Sequence, residues 1–121
     1  MGEAPQGGGP GIFDVGGDKQ DRLFELLSHP YRRFVIRHLH DVDDSQTLGE
    51  VATDLGAWQA ELPPADRSAA GVAEIETTLH HTHLPKLAAA NVVKYDHTRR
   101  MVTPTPGTTR VGDCLDDRGR E

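Results

Sequence analysis

The chain has 121 residues, a formal net charge of −6 and 36% apolar residues. Its length suits one domain, and the apolar fraction lies below the roughly 45–50% of an average globular protein, so only part of the chain is expected to form a core. No apolar run approaches 18 residues, and the N-terminus has neither a basic nor an apolar signal region, which predicts a cytoplasmic protein without a membrane partner. The single cysteine, Cys114, excludes an intramolecular disulfide.

The composition of both ends predicts disorder. Residues 1–17 include seven glycines, and residues 105–121 mix glycine, proline and charged residues. The folded domain is therefore predicted over residues 18–104.

The acidity of the chain has a distinctive composition. Twelve aspartates stand against seven glutamates, and three lysines against ten arginines, a bias that resembles proteins of salt-loving archaea. In salt of about 1 M the Debye length is about 3 Å, so net negative charge repels DNA only weakly beyond direct contact. Nucleic acid remains a possible partner.

Two helices are predicted first. Asp18 can cap a short helix over residues 19–27, and Pro30 suits the first turn of a second helix. Three arginines lie off the apolar stripe of the second helix, where they would contact phosphates or, as we favour, pair with aspartates of the next loop. These arginines are Arg32, Arg33 and Arg37, and the aspartates are Asp41, Asp43 and Asp44.

A capping box at Thr47 and Glu50 predicts a third helix. Its apolar face continues to Leu62, and the two following prolines end it. Trp58 on this face is interpreted as a core anchor or a dimer contact.

A fourth helix is predicted over about residues 71–90, with an irregularity inside it. The step from Leu79 to Leu84 is five residues, which shifts the apolar stripe by roughly 100°, and Pro85 removes a backbone donor. We therefore expect a kink or break near residues 81–84, with His80 and His83 leaning toward the packed side. The outward positions are Thr78, His81 and Thr82, with Lys86 at the margin.

A hairpin with a basic tip follows the fourth helix. Asn91 suits a left-handed helix end, and residues 92–96 and 101–103 alternate as half-buried strands do. Residues 77–100 contain four Lys or Arg against one acid, a local charge of +3 in a chain of −6. This is the clearly basic section of the sequence.

Two segments resemble a known family. Residues 26–39, LLSHPYRRFVIRHL, and residues 83–95, HLPKLAAANVVKY, resemble winged helix-turn-helix repressors of the arsenical-resistance-repressor type. The chain is still more similar to small, uncharacterised winged-helix proteins of haloarchaea, in which a His-rich Leu-Pro-Lys-Leu segment recurs. The resemblance covers about residues 18–104.

The resemblance implies a mainly helical α+β fold, a winged helix-turn-helix with a C-terminal two-stranded wing. It also implies a homodimeric, sequence-specific regulator of transcription that binds double-stranded DNA. The helix over about 71–90 would lie in the major groove, and the wing over 92–103 would touch the adjacent backbone or minor groove. The implied DNA-contacting residues are Thr78, His81, Thr82, Lys86, Lys94, His97, Arg99 and Arg100.

Three other functions are weighed against DNA binding. A winged helix used for protein association would suit the acidic charge and Trp58. Catalysis is not expected, because no phosphate loop, nucleophile elbow or carboxylate pair occurs. A metal on His80 and His83, with His81 and His97 nearby, lacks a carboxylate or thiol partner at a recognisable spacing, so no metal or other cofactor is predicted.

Overall fold

The computed structural model of the protein describes residues 21–119, and the side-chain environments as far as residue 115. The predicted N-terminal tail, residues 1–17, lies outside the described residues. Most of the described chain is helical, and a small three-stranded antiparallel sheet completes it. The predicted α+β class is confirmed.

The described helices and strands have the following bounds. The helices are α1 (21–26), α2 (Pro30–Val42), α3 (Leu48–Ala60), α4 (Val72–Thr78), α5 (Leu84–Ala89) and α6 (Pro106–Gly119). The strands are β1 (Gln46–Thr47), β2 (Val93–Asp96) and β3 (Met101–Pro104). A π turn, Leu79–His83, joins α4 to α5, and a short 3₁₀ helix, Pro64–Asp66, lies in the connection after α3.

The sheet has the order β1-β3-β2. In the predicted hairpin, Tyr95 of β2 faces Val102 of β3, and Val102 also faces Gln46 of β1. The sequence predicted two strands, and the third is a two-residue segment directly before the capping box of α3. It joins the hairpin to the helical part of the domain.

One core connects the helices and the sheet. Its fully buried side chains come from α2, α3, α4, the π turn, α5 and β3. They include Val35, Ile36, Leu39, Leu48, Val51, Leu55, Ile75, Leu79, Leu84, Leu87 and Val102. A Cβ added to Gly56 of α3 would lie 3.2 Å from a methyl carbon of Val72 on α4. Because glycine has no Cβ, the two helices can pack closely here.

The arginines of α2 do not pair with the loop aspartates as predicted. Arg32 is 6% exposed and donates to the carbonyl of Leu26 at 2.7 Å. Arg33 donates to the carbonyl of Leu27 at 2.6 Å, and Arg37 reaches the carbonyl of Leu115 at 3.3 Å. The carbonyls of Leu26 and Leu27 lie at the end of α1 and accept bonds because no helical N–H follows them, whereas that of Leu115 lies within α6.

Helix α3 begins with the predicted capping box. The Glu50 N–H donates to the Thr47 hydroxyl at 3.0 Å, and the Thr47 N–H donates to the Glu50 carboxylate at 2.8 Å. The helix ends at Ala60, two residues before the predicted end at Leu62. Trp58 is half-buried, with its ring 5.4 Å from that of Phe34 on α2.

The irregularity predicted in the fourth helix is a π turn. The Leu84 N–H donates to the carbonyl of Leu79, five residues back. This turn adds one residue to the helical repeat, so the two leucines share the buried face despite their spacing of five. Pro85 follows directly and has no N–H to continue the ladder, which explains why the regular pattern fails here.

The prediction of a disordered tail over 105–121 is wrong for most of that segment. Residues Pro106–Gly119 form α6, which packs on α2 and buries Thr108 and Leu115. The glycines that indicated disorder allow this packing. A Cβ on Gly112 would lie 2.8 Å from the ring of His40, and a Cβ on Gly107 would collide with the carbonyl of Asn91.

None of the helices within residues 21–119 is both long and apolar enough to cross a membrane.

Substitution of Leu115 tests whether α6 belongs to the folded domain. Leu115 is 4% exposed, so Leu115→Ala should lower the free energy of unfolding by about 2–4 kcal/mol through lost burial and a cavity. The matched control is Cys114→Ala, at an exposed neighbouring position, with an expected change under about 0.5 kcal/mol. Urea unfolding measures both, and equal stabilities would show that α6 contributes nothing.

Candidate nucleic-acid interface

The turn of the β2–β3 hairpin is ordered by Asp96. Its carboxylate accepts the backbone N–H groups of Thr98 and Arg99, each at 3.0 Å. The bond from Arg99 is the main reason that the pKa of Asp96 lies below its ordinary value; burial opposes the shift, and the Thr98 bond supports it. Both Arg99 and His97 are exposed on this turn.

Arg100 has a structural role in the hairpin. Its φ of 55° lies in the left-handed region, and its carbonyl accepts the N–H of Leu48, the first residue of α3, at 2.8 Å. Its guanidinium lies 4.0 Å from the carboxylate of Glu76 on α4. The backbone and side chain of Arg100 therefore link the hairpin tip to both helices.

Histidines and a tyrosine fill the junction between the fourth helix and the hairpin. The Nδ1 of His80 lies 2.6 Å from the hydroxyl of Tyr95. The ring of His97 is 4.9 Å from each of these two rings, and His81 is also 4.9 Å from His80. Burial, followed by the nearby Arg100, holds the pKa of His80 below its ordinary value, so this ring is neutral near pH 7.

The structure brings part of the predicted set together. His81 and Arg100 line one depression together with Thr77 and His80. The ring of His97 packs against the ring of His80. Thr82, Lys94 and Arg99 are exposed on the helix, β2 and the turn. We use the name helix–hairpin surface for six exposed residues of the predicted set, of which the depression and the ring contacts join His81, His97 and Arg100. The six are His81, Thr82, Lys94, His97, Arg99 and Arg100.

Two predicted residues differ from this pattern. Thr78 is half-buried although the sequence placed it outward, because it lies three residues after Ile75 and directly before Leu79, both of which are buried. Lys86 is exposed but pairs with Glu25 of α1 at 3.0 Å. Lys86 therefore lies at the α1 side of the fourth helix and makes no hairpin contact among those the structure records.

His83 belongs to the core. It is 3% exposed, and its Nδ1 accepts a hydrogen bond from the Arg32 guanidinium at 3.2 Å. Burial lowers the pKa of His83 to about 4, with further lowering from His29, Arg32 and Lys86. Since Arg32 is always a donor, the bond requires an unprotonated Nδ1, so His83 is neutral at pH 7.

The separate contacts of His80 and His83 do not favour a shared metal. One ring turns to Tyr95 and the other to Arg32. Within the part of the chain that the structure describes, no group of three or more His, Cys, Asp or Glu side chains is arranged to hold a metal ion.

Sequence reasoning missed the acidic neighbours of this surface. Glu50, Asp54 and Glu76 line a depression at the start of α3, next to the hairpin. Glu76 was not singled out because its partner Arg100 is 24 residues away, and no local spacing rule connects them. The local charge of +3 counted along the sequence is thus partly balanced in space.

The chain belongs to the family described as Domain of unknown function (DUF7344), which matches residues 24–103. The matched region runs from α1 through β3 and stops before α6. No curated protein and no solved structure matches the chain.

The buried contact of His83 predicts a specific pH dependence. The folded pKa of about 4 lies below the ordinary 6.5, so the unfolded chain takes up the proton first as pH falls. Stability should be complete above pH 6.5 and decrease toward pH 4, by up to about 3 kcal/mol from this residue.

Urea unfolding between pH 7 and pH 4.5 measures the effect against His83→Gln, in which an amide oxygen can still accept from Arg32 but cannot titrate. The wild type should lose more stability than the variant over this range. Parallel stability curves for the two proteins would show that His83 is not held neutral by the fold.

Proposed function

We propose that the protein is a DNA-binding transcriptional regulator with a winged helix-turn-helix domain. The observation that carries the proposal is the arrangement of elements. Helices α2 and α3 flank the short strand β1, and the helical segment α4 to α5 leads directly into the β2–β3 hairpin. Strand β1 pairs with β3 of that hairpin. This order suits a domain that places one helix in the major groove and a hairpin on the neighbouring backbone.

The exposed chemistry of the helix–hairpin surface supports this assignment. Hydroxyl and imidazole groups of Thr82 and His81 can donate to or accept from base edges. Lys94 and Arg99 are exposed cations on the hairpin, suited to phosphate oxygens. Arg100 and Lys86 would contact phosphates by leaving or sharing their carboxylate partners, Glu76 and Glu25.

We propose further that the regulator acts as a cytoplasmic homodimer, as the resemblance to arsenical-resistance-type repressors implies. Two copies of the segment made of α4, the π turn and α5, which we call the reading helix, would then meet half-sites about one DNA turn apart. The excess of aspartate over glutamate in the chain supports a role at high salt, where its net charge of −6 is screened.

One observation favours a second candidate, a protein-interaction module. The carboxylates of Glu50, Asp54 and Glu76 adjoin the helix–hairpin surface and would repel phosphates brought close to α3. A protein partner with a basic segment would fit the same place. The experiments on DNA below separate the two candidates.

Electrophoretic mobility shift over a series of salt concentrations tests DNA binding, with a duplex from upstream of the gene and an unrelated duplex of equal length. Arg99→Gln and Lys94→Gln should each weaken binding and reduce the slope of log K against log salt by about 1. Arg99 is preferred to Arg100 because Arg100 has a backbone role at φ 55°. The matched control is Arg110→Gln, an exposed arginine on α6.

Two outcomes would contradict the proposal in different ways. If the wild type shifts neither duplex at any salt concentration, the protein-interaction module is favoured. If the wild type shifts DNA and both hairpin variants match the Arg110→Gln control, DNA binding stands and the role of the hairpin is wrong.

Sedimentation velocity tests the homodimer. We expect a species of about twice the 13.2 kDa chain mass at micromolar concentration. A monomer at the concentration that shifts DNA would contradict binding to paired half-sites.

A further inference from the structure

A groove between α2 and α3 has the composition of a small-molecule site. Its volume is about 340 Å³, within the range of about 300–1,000 Å³ that small-molecule sites occupy. One wall is a continuous face of α2, and Trp58 of α3 forms the other. None of the groove residues belongs to the helix–hairpin surface.

Three rings provide the apolar part of the groove. The ring of Phe34 stacks on that of His38, with centroids 5.3 Å apart and planes 13° apart, and the Phe34 ring lies 5.4 Å from that of Trp58. The Nε2 of His38 is fixed 3.0 Å from the carboxylate of Asp54. All three rings are half-buried, so each leaves part of its surface open to a ligand.

Two guanidinium groups supply the charge. Arg33 and Arg37 lie one helical turn apart on α2 and both line the groove. In each, one terminal nitrogen donates to a backbone carbonyl, that of Leu27 or Leu115, which holds the side chain in place. A guanidinium has five N–H donors, so donors remain for an anion after these bonds.

Asp41 gives the groove a direction. It lies eight residues from Arg33 on α2, about 12 Å along the helix axis, and about 6 Å from Arg37. The lining side chains include two arginines and one aspartate, and Asp54 adds a second carboxylate beside His38, so the positive end of the groove is the one near Arg33. An anionic group would bind at that end, with an apolar body over the rings.

We propose that this groove binds a small aromatic carboxylate. A planar ring can pack against the parts of the half-buried Phe34 and Trp58 rings that stay open, and a carboxylate matches the planar donor pattern of an arginine. The combination separates this ligand class from neutral aromatics, which leave the guanidinium groups unused, and from simple anions, which leave the rings uncovered.

The chain carries its own reporter for the test. Trp58 is the single tryptophan of the sequence, so its fluorescence, excited at wavelengths where a benzene ring does not absorb, reports on the groove alone. Titration with sodium benzoate at fixed ionic strength should change the emission and reach saturation. Benzamide, which has the same ring without the charge, and acetate, which has the charge without the ring, should not saturate over the same concentrations.

Variants then locate the binding. Arg33→Gln removes the guanidinium at the end where the carboxylate binds, so it should raise the benzoate Kd about tenfold, the expected effect of one charge-assisted hydrogen bond. Arg110→Gln on α6 is the charge-matched control and should leave the Kd unchanged. Thermal unfolding of each variant checks the fold, and the comparison of benzoate with benzamide needs no variant.

Each contrary outcome overturns a defined part of the proposal. No saturable change with benzoate would reject the ligand class. Equal binding of benzamide would show an apolar site in which the arginines have no part. An emission that depends on protein concentration and not on benzoate would assign the groove to contact between two copies of the chain.

Discussion

The buried guanidinium of Arg32 is the contact on which the arrangement of the helices depends. It donates to the carbonyls of Glu25 and Leu26 at the end of α1 and to His83 in the π turn. Arginine is never neutral in a protein, so its burial requires these acceptors. One side chain of α2 therefore contacts both the end of α1 and the π turn, and this contact supports the neutral state of His83, which burial chiefly causes.

The sequence predicted the helices best where local rules apply. The capping box at Thr47 and the proline at the start of α2 determine helix starts through contacts within a few residues. The end of the domain could not be read in this way. Gly107 and Gly112 indicated a flexible tail by composition, but they are the points where α6 approaches Asn91 and His40. Glycine is common both in flexible tails and where a helix packs closely on a neighbour, and only the neighbouring residues distinguish the two cases.

The candidate site was predicted in part, for related reasons. The spacing of the apolar residues separated His83, which is buried, from His81, which is exposed. It could not show that Arg100 faces Glu76, or that Tyr95 reaches His80, because these contacts join elements far apart in the chain. The arginines of α2 were assigned to the aspartates that follow them, but Arg32 and Arg33 donate to carbonyls that precede α2, and Arg37 donates to the carbonyl of Leu115 far along the chain. Charge counted along the sequence therefore overstates the basic character of the surface.

The π turn has a consequence for how relatives of this chain are compared. Such a turn contains one residue more than the α-helical path between the same two points. A relative with a regular reading helix would have one residue fewer between the positions of Leu79 and Leu84, and its leucines would stand four apart. An alignment without a gap at this place would pair the histidines of the two proteins in the wrong register, and would exchange buried positions with exposed ones.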